Sequence, residues 1–189
     1  MTKNFVAYFL IVLGCTLVTR FSPAHAASSL PVEYKIKAAI IYKLLKFVEW
    51  GEKEEKELPR FTIGVMKKNQ MVEALDSLKN KFYSQKINVI KINSLEKDML
   101  PHILFISGSE FDHYQELLNI LKGQRTLTIG EGREFCRLGG MICLNIIQDK
   151  VKFGVNLSAI RDSGLNLSSI ALRAANKVWK KQPSGRLKQ

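Results

Sequence analysis

Residues that build metal centres and catalytic thiols are scarce in this chain, with three cysteines and three histidines among 189 residues. Six residues separate Cys136 from Cys143, where thiol oxidoreductases have two, and no second cysteine or histidine pair completes a zinc site. His102 opens an apolar run and His113 falls in an amphipathic segment. Neither stands in a triad or metal-ligand spacing, so surface or satisfied-core roles are expected of both. Ser107-Gly108-Ser109 lacks the G-x-S-x-G pattern of a nucleophile elbow. Gly130-Glu131-Gly132 lacks the third glycine of a dinucleotide loop, since Phe135 stands where it should be. Acidic residues are in deficit, 17 against 29 basic ones. Those of 52–57 are expected to form a solvated loop and not a paired-carboxylate site. There is no internal repeat or low-complexity block. The expectation is a protein that is not an enzyme, with no cofactor and no metal.

What is present begins with a leader. Residues 1–26 combine Lys3, an apolar run of about 14 residues and the small-x-small site Ala24-His25-Ala26, which reads as a secretory signal cleaved near Ala26. The run is short of the roughly 20 residues that span a bilayer core. Lipoprotein processing at Cys15 is a minor alternative. Losing Lys3 and Arg20 with the leader takes the formal charge from +12 to +10. That excess suits anionic surfaces or acidic protein partners, and export argues against nucleic acid as a partner. Two cysteines remain, and in an exported chain they most simply form a disulfide. A loop that short constrains the unfolded state by about 2–3 kcal/mol. A redox-sensitive pair, and a metal or catalytic use, are the alternatives.

The stretch 130–156 organises the rest. It carries Cys136, a Gly139-Gly140 turn, Cys143, and two strand-like runs, 141–147 and 150–156, separated by Gln148-Asp149. Upstream, 32–50 reads as a helix, with Val32, Ile36, Ile40, Leu44 and Phe47 at spacings of three or four, and Ala39, Ile41 and Leu45 widen the stripe so that much of it should be buried. Strands are expected at 61–66, 87–92, 102–106 and 126–129, and helices at 70–81 and 110–122. Residues 131–136 and 157–163 read as short helical turns, and Ser168 as the cap of a last helix reaching about 180. The alternation predicts a single layered α/β domain over 27–182. Its sheet is mostly parallel and flanked by helices, with an antiparallel edge hairpin near the C-terminus. Residues 183–189 read as a basic flexible tail.

Three segments resemble the YfiR family of exported bacterial regulators of membrane-bound diguanylate cyclases. EYKIKAAIIYKLLKFVEW (33–50) is similar to the family's opening helix. KVKFGVNLSAIRDSGLNLSSIALRAANKV (150–178) is similar to its closing signature, a strand ending Phe-x-x-Asn, a glycine turn and a Ser-capped helix. Cys136 and Cys143 have the spacing of a disulfide pair in the family. A further cysteine pair of the family is replaced here by Gly64 and by Pro101 or His102. The resemblance implies a periplasmic protein that binds the periplasmic part of an inner-membrane GGDEF cyclase and represses it. Cyclic di-GMP and biofilm formation would then stay low. It also implies release by stress or by an outer-membrane lipoprotein partner, and a homodimer. The alternative reading is a periplasmic small-ligand sensor acting on another receptor, such as a histidine kinase.

Overall fold

The computed structural model describes residues 30–50, 61–67, 70–82 and 87–180. The expected leader, the charged run 52–57 and the tail 183–189 lie outside them. In chain order the first elements are α1 (Val32–Leu45), β1 (Val48–Glu49), β2 (Phe61–Met66), α2 (Gln70–Phe82), β3 (Ile87–Ile92) and β4 (Ile103–Ile106). Then come α3 (Tyr114–Leu121), β5 (Leu127–Glu131), α4 (Arg133–Arg137), β6 (Ile142–Ile147) and β7 (Lys150–Asn156). The last are α5 (Leu157–Asp162), β8 (Asn166–Leu167), α6 (Ser169–Ala174) and β9 (Lys177–Trp179).

Among the described residues, seven strands form one sheet in the order β3-β2-β4-β5-β6-β7-β9. The five from β3 to β6 are parallel, and β6 pairs antiparallel with β7. Strand β4 shows why the parallel part holds: Ile103, Leu104, Phe105 and Ile106 are all buried, as strands covered on both faces require. Ile103 and Phe105 join the core under α1 and α2, while Leu104 and Ile106 join the core under α3 and α4. The α/β layering, the mostly parallel sheet and the antiparallel hairpin are therefore as expected. Gln148 and Asp149, with φ of 49° and 56°, close the hairpin with the doubly left-handed turn that matches strand twist.

Four expectations are corrected. The helix expected over 32–50 stops at Leu45, because Val48 and Glu49 pair antiparallel with Leu167 and Asn166. Phe47 O there accepts a hydrogen bond from Ser168 N at 2.8 Å. That partner is far along the chain and leaves no local trace. The buried face of α1 keeps Ile41, Leu44 and Leu45 of the expected stripe but is shifted away from its Val32–Ile36 end. Lys37, Ala38, Ile41, Tyr42, Leu44 and Leu45 are buried, whereas Val32 and Ile36 are exposed. The helix expected at 110–122 begins as a 3-10 turn (Gly108–His113) and becomes α-helical at Tyr114. Finally, Ser168 caps α6 through Ala171 N as expected, but α6 ends at Ala174 and not near 180. Asn176 N then donates to Phe153 O at 2.9 Å, and the chain re-enters the sheet as β9, parallel to β7. The hairpin thus lies one strand in from the edge.

Candidate functional site

From β2 the chain winds outward to β3 and then returns to β4 on the other side of β2. Open α/β sheets place ligand crevices at the carboxyl ends of the strands where the winding reverses in this way. Here an ion pair spans that place. Lys67 follows β2 in a left-handed conformation, φ 55°, and its Nζ lies 2.7 Å from Oε2 of the buried Glu110, which follows β4.

One strand further, Glu131 ends β5 and gathers three donors. Oε2 accepts from Gly108 N at 2.7 Å and from Ser107 Oγ at 3.3 Å, and Oε1 accepts from Lys37 Nζ. Lys37 is only 5% exposed, because α1 lies across the sheet and carries it inward. It also pairs with Glu33 one turn back, and its Nζ sits 5.2 Å from the centroid of the Tyr34 ring. Tyr114 OH lies 3.0 Å from both Ser107 O and Glu131 O and shares its single proton between them. The cluster therefore ties α1, the β4–α3 turn and the end of β5 together.

The protonation states of Lys37, Tyr34 and Tyr114 argue against a general base among these three. Burial pulls the Lys37 pKa down, but hydrogen bonds to Glu131 and Glu33 and their charges outweigh it, and the net shift is upward. Burial, with the Glu131 charge added, pushes Tyr114 up to about 12. Burial and Glu131 raise Tyr34 as well. At neutral pH, Lys37 is thus a fixed cation and Tyr114 a fixed hydrogen-bond donor, and neither can serve as a general base.

The two candidate residues from the sequence, Cys136 on α4 and Cys143 on β6, are disulfide-bonded with Cα atoms 5.6 Å apart. Both are buried in the core that includes Phe135, Leu104 and Tyr114. The glycines around them have packing roles. A Cβ on Gly130 or Gly140 would collide with the Phe135 ring, so both positions must be bare for α4 to sit down. Gly154 likewise leaves room for the Trp179 ring beside Cys143 Sγ. The asparagine of the Phe-x-x-Asn sequence, Asn156, donates from Nδ2 to Cys136 O at 2.9 Å. It caps α5 by accepting from Ala159 N at 3.0 Å. Asn156→Ala is expected to lose about 1–2 kcal/mol in urea denaturation, since it removes both a helix cap and a partly buried hydrogen bond.

His102 accepts from Thr62 N at Nδ1, 3.1 Å away, and packs against Phe61 and Trp50, a satisfied role. His113 is exposed at the end of the 3-10 turn. Among the described residues, no group of three His, Cys, Asp or Glu side chains could hold a metal ion, and no helix is long and apolar enough to cross a membrane. The sequence does not single out Lys37 or Glu131. For Lys37 the available signal is spacing, since it precedes Ile41, Leu44 and Leu45 by four, seven and eight residues and so shares their buried side of α1.

The family model for YfiR/HmsC-like proteins matches residues 34–176, from the first turn of α1 to the approach to β9. The chain belongs to the YfiR/HmsC-like family. Lys37, Glu131, the disulfide and Asn156 all lie inside the matched region. Two solved structures share the fold at 10% identity: an ABC domain in complex with L-Trp from Streptococcus pneumoniae (TM-score 0.54) and a conserved domain protein from Vibrio cholerae O1 biovar El Tor (TM-score 0.53). Each match covers 77% of this chain and 60% of the other. A comparison with curated proteins gives no match.

Proposed function

We propose that the chain is exported, cleaved near Ala26, and acts in the periplasm as a regulatory binding protein for an inner-membrane GGDEF diguanylate cyclase. The bound state holds the cyclase inactive through its periplasmic part and lowers cyclic di-GMP and biofilm formation. Membership of the YfiR/HmsC-like family over residues 34–176 carries this reading. A positive balance of +10 beyond the leader supports it, as does a polar cluster committed to holding the fold together. Regulation of this kind needs different affinities for two receptor states and no bond chemistry by the regulator. A homodimer and an outer-membrane lipoprotein that sequesters it belong to the same reading. Deleting the gene is expected to raise cellular cyclic di-GMP, and crosslinking in membranes to recover a GGDEF protein. Unchanged cyclic di-GMP, with no cyclase recovered, would sink the reading.

A second reading, a periplasmic small-ligand sensor, is favoured by one feature. A groove of about 850 Å³ opens between α3, α4, α5 and β9, with Leu118, Met141 and Trp179 beside Lys122, Arg137 and Lys180. That volume falls within the range of small-molecule sites. A metabolite that raises the melting temperature, and goes on raising it with the logarithm of its concentration above Kd, would support it.

A further inference from the structure

Helix α1 is apolar on two sides. One side is the core face. The other carries Val32, Ile36 and Ile40, four residues apart and so on one stripe, with Val32 69% and Ile36 42% exposed. Beside this stripe α6 presents Ile170, 55% exposed. Between the two helices runs a groove of about 110 Å³ walled by Ile40, Phe47, Phe153, Ile170 and Ala174, with Lys43 the one charged residue along it among the described residues. An apolar cavity of about 150 Å³ takes a benzene ring, so this groove has room for one branched aliphatic side chain. A continuous apolar patch with a polar rim is the mark of an interaction site.

The charge around the patch selects what covers it. Lys35 and Lys43 are exposed on the same outward side of α1, and Arg173 is exposed on α6. The single carboxylate of α1, Glu33, is turned to Lys37. A second copy of the chain packed here would bring lysines against lysines. A flat lipid surface would leave the concave groove unfilled. A protein segment fits both features if it puts an aliphatic side chain in the groove and carboxylates over the lysines.

We propose that the outward face of α1 and α6 is the docking surface for an acidic amphipathic helix of a partner protein, bound in the helix-in-groove manner. This surface is independent of whether the partner is a diguanylate cyclase.

The test is a photo-crosslinking amino acid at position 36 or 170 of the full chain, in the native host, with the crosslinked peptide mapped by mass spectrometry. The expected product is one segment with apolar residues at spacings of three or four, flanked by Asp or Glu. A synthetic peptide of that segment should bind the purified protein. Ile36→Asp and Ile170→Asp should each weaken binding about tenfold or more without changing the melting temperature. Lys43→Glu should weaken it and flatten its salt dependence. Crosslinks to a second copy, flotation with phosphatidylglycerol vesicles that Ile36→Asp abolishes, or no crosslink at either position would each overturn the assignment. A cyclase captured equally well by the Ile36→Asp and Ile170→Asp variants would overturn this surface while leaving the proposed function standing. An acidic helix of a non-cyclase protein mapped to this groove, together with cyclic di-GMP unchanged on deletion and no cyclase recovered, would do the reverse.

Discussion

Lys37→Met is expected to lower the unfolding free energy by about 3–5 kcal/mol, the usual cost of removing one partner of a buried ion pair. In a chain of this size the melting temperature should fall by about 10 °C or more. The loss comes from what stays behind. Glu33, with a side chain 39% exposed, can rehydrate, but Glu131, at 18%, keeps a buried charge without its cation. Gly108 N and Ser107 Oγ still donate to Glu131, so glutamine there keeps an acceptor while shedding the charge. Lys37→Met combined with Glu131→Gln should therefore recover most of the loss, and a double-mutant cycle in urea would read the coupling directly. If the double variant is as unstable as the sum of the singles, the ion pair is not what holds α1 down.

The same cluster sets an alkaline limit. Lys37 and Tyr114 both have folded pKa values above their unfolded ones, which are about 10.5 and 10. Above about pH 10 the folded state thus binds more protons than the unfolded state, and stability falls as pH rises. For Tyr114 the loss runs from about pH 10 to its folded value of about 12. Tyr114→Phe in the Lys37→Met background should make the alkaline limb shallower without abolishing it, because burial raises Tyr42 and Tyr34 as well, and a series of urea melts from about pH 8 to 11 would show the change in slope.

How much of the fold is legible in the sequence follows from how local each determinant is. Strand β4 is legible because four consecutive buried apolar residues need no distant partner to be recognised. The hairpin is legible because its two strands and its turn are contiguous in the chain. The end of α1 is not, since β1 exists only by pairing Val48 with Leu167 and Glu49 with Asn166. The end of α6 is hidden for the same reason, with β9 formed by its partner β7 and not by its own composition. Helix α1 is ambiguous in a more informative way. Its sequence supports two apolar stripes, and distant partners settle which one turns inward: the core residues around Ile41 and Leu45, Leu75 O for Tyr42, and Glu131 for Lys37. The cysteines need no such context, since two thiols near a glycine turn suggest their own pairing. The polar cluster joins residues 94 apart and cannot be assembled from spacing alone.

Cys136→Ser is expected to cost about 2–5 kcal/mol, of which about 2.5 is the loop-closure contribution of so short a ring. The rest comes from placing a hydroxyl at a site 1% exposed, where Gly154 O lies 3.8 Å from the sulfur. Cys136→Ala isolates the cross-link from that hydroxyl and should be the milder of the two. Unfastening should spread along identifiable contacts. Cys136 O anchors Asn156, which caps α5, and α4 carries Phe135 onto Gly130 and Gly140. Hydrogen exchange should therefore rise first in α4 and α5, while the amides of α1, held through Lys37 and Glu131, stay protected until global unfolding. The proposed repression would then fail at the temperature where the variant melts. A Cys136→Ala protein that keeps its melting temperature yet loses the repression proposed above would instead make the disulfide a redox input and not a brace.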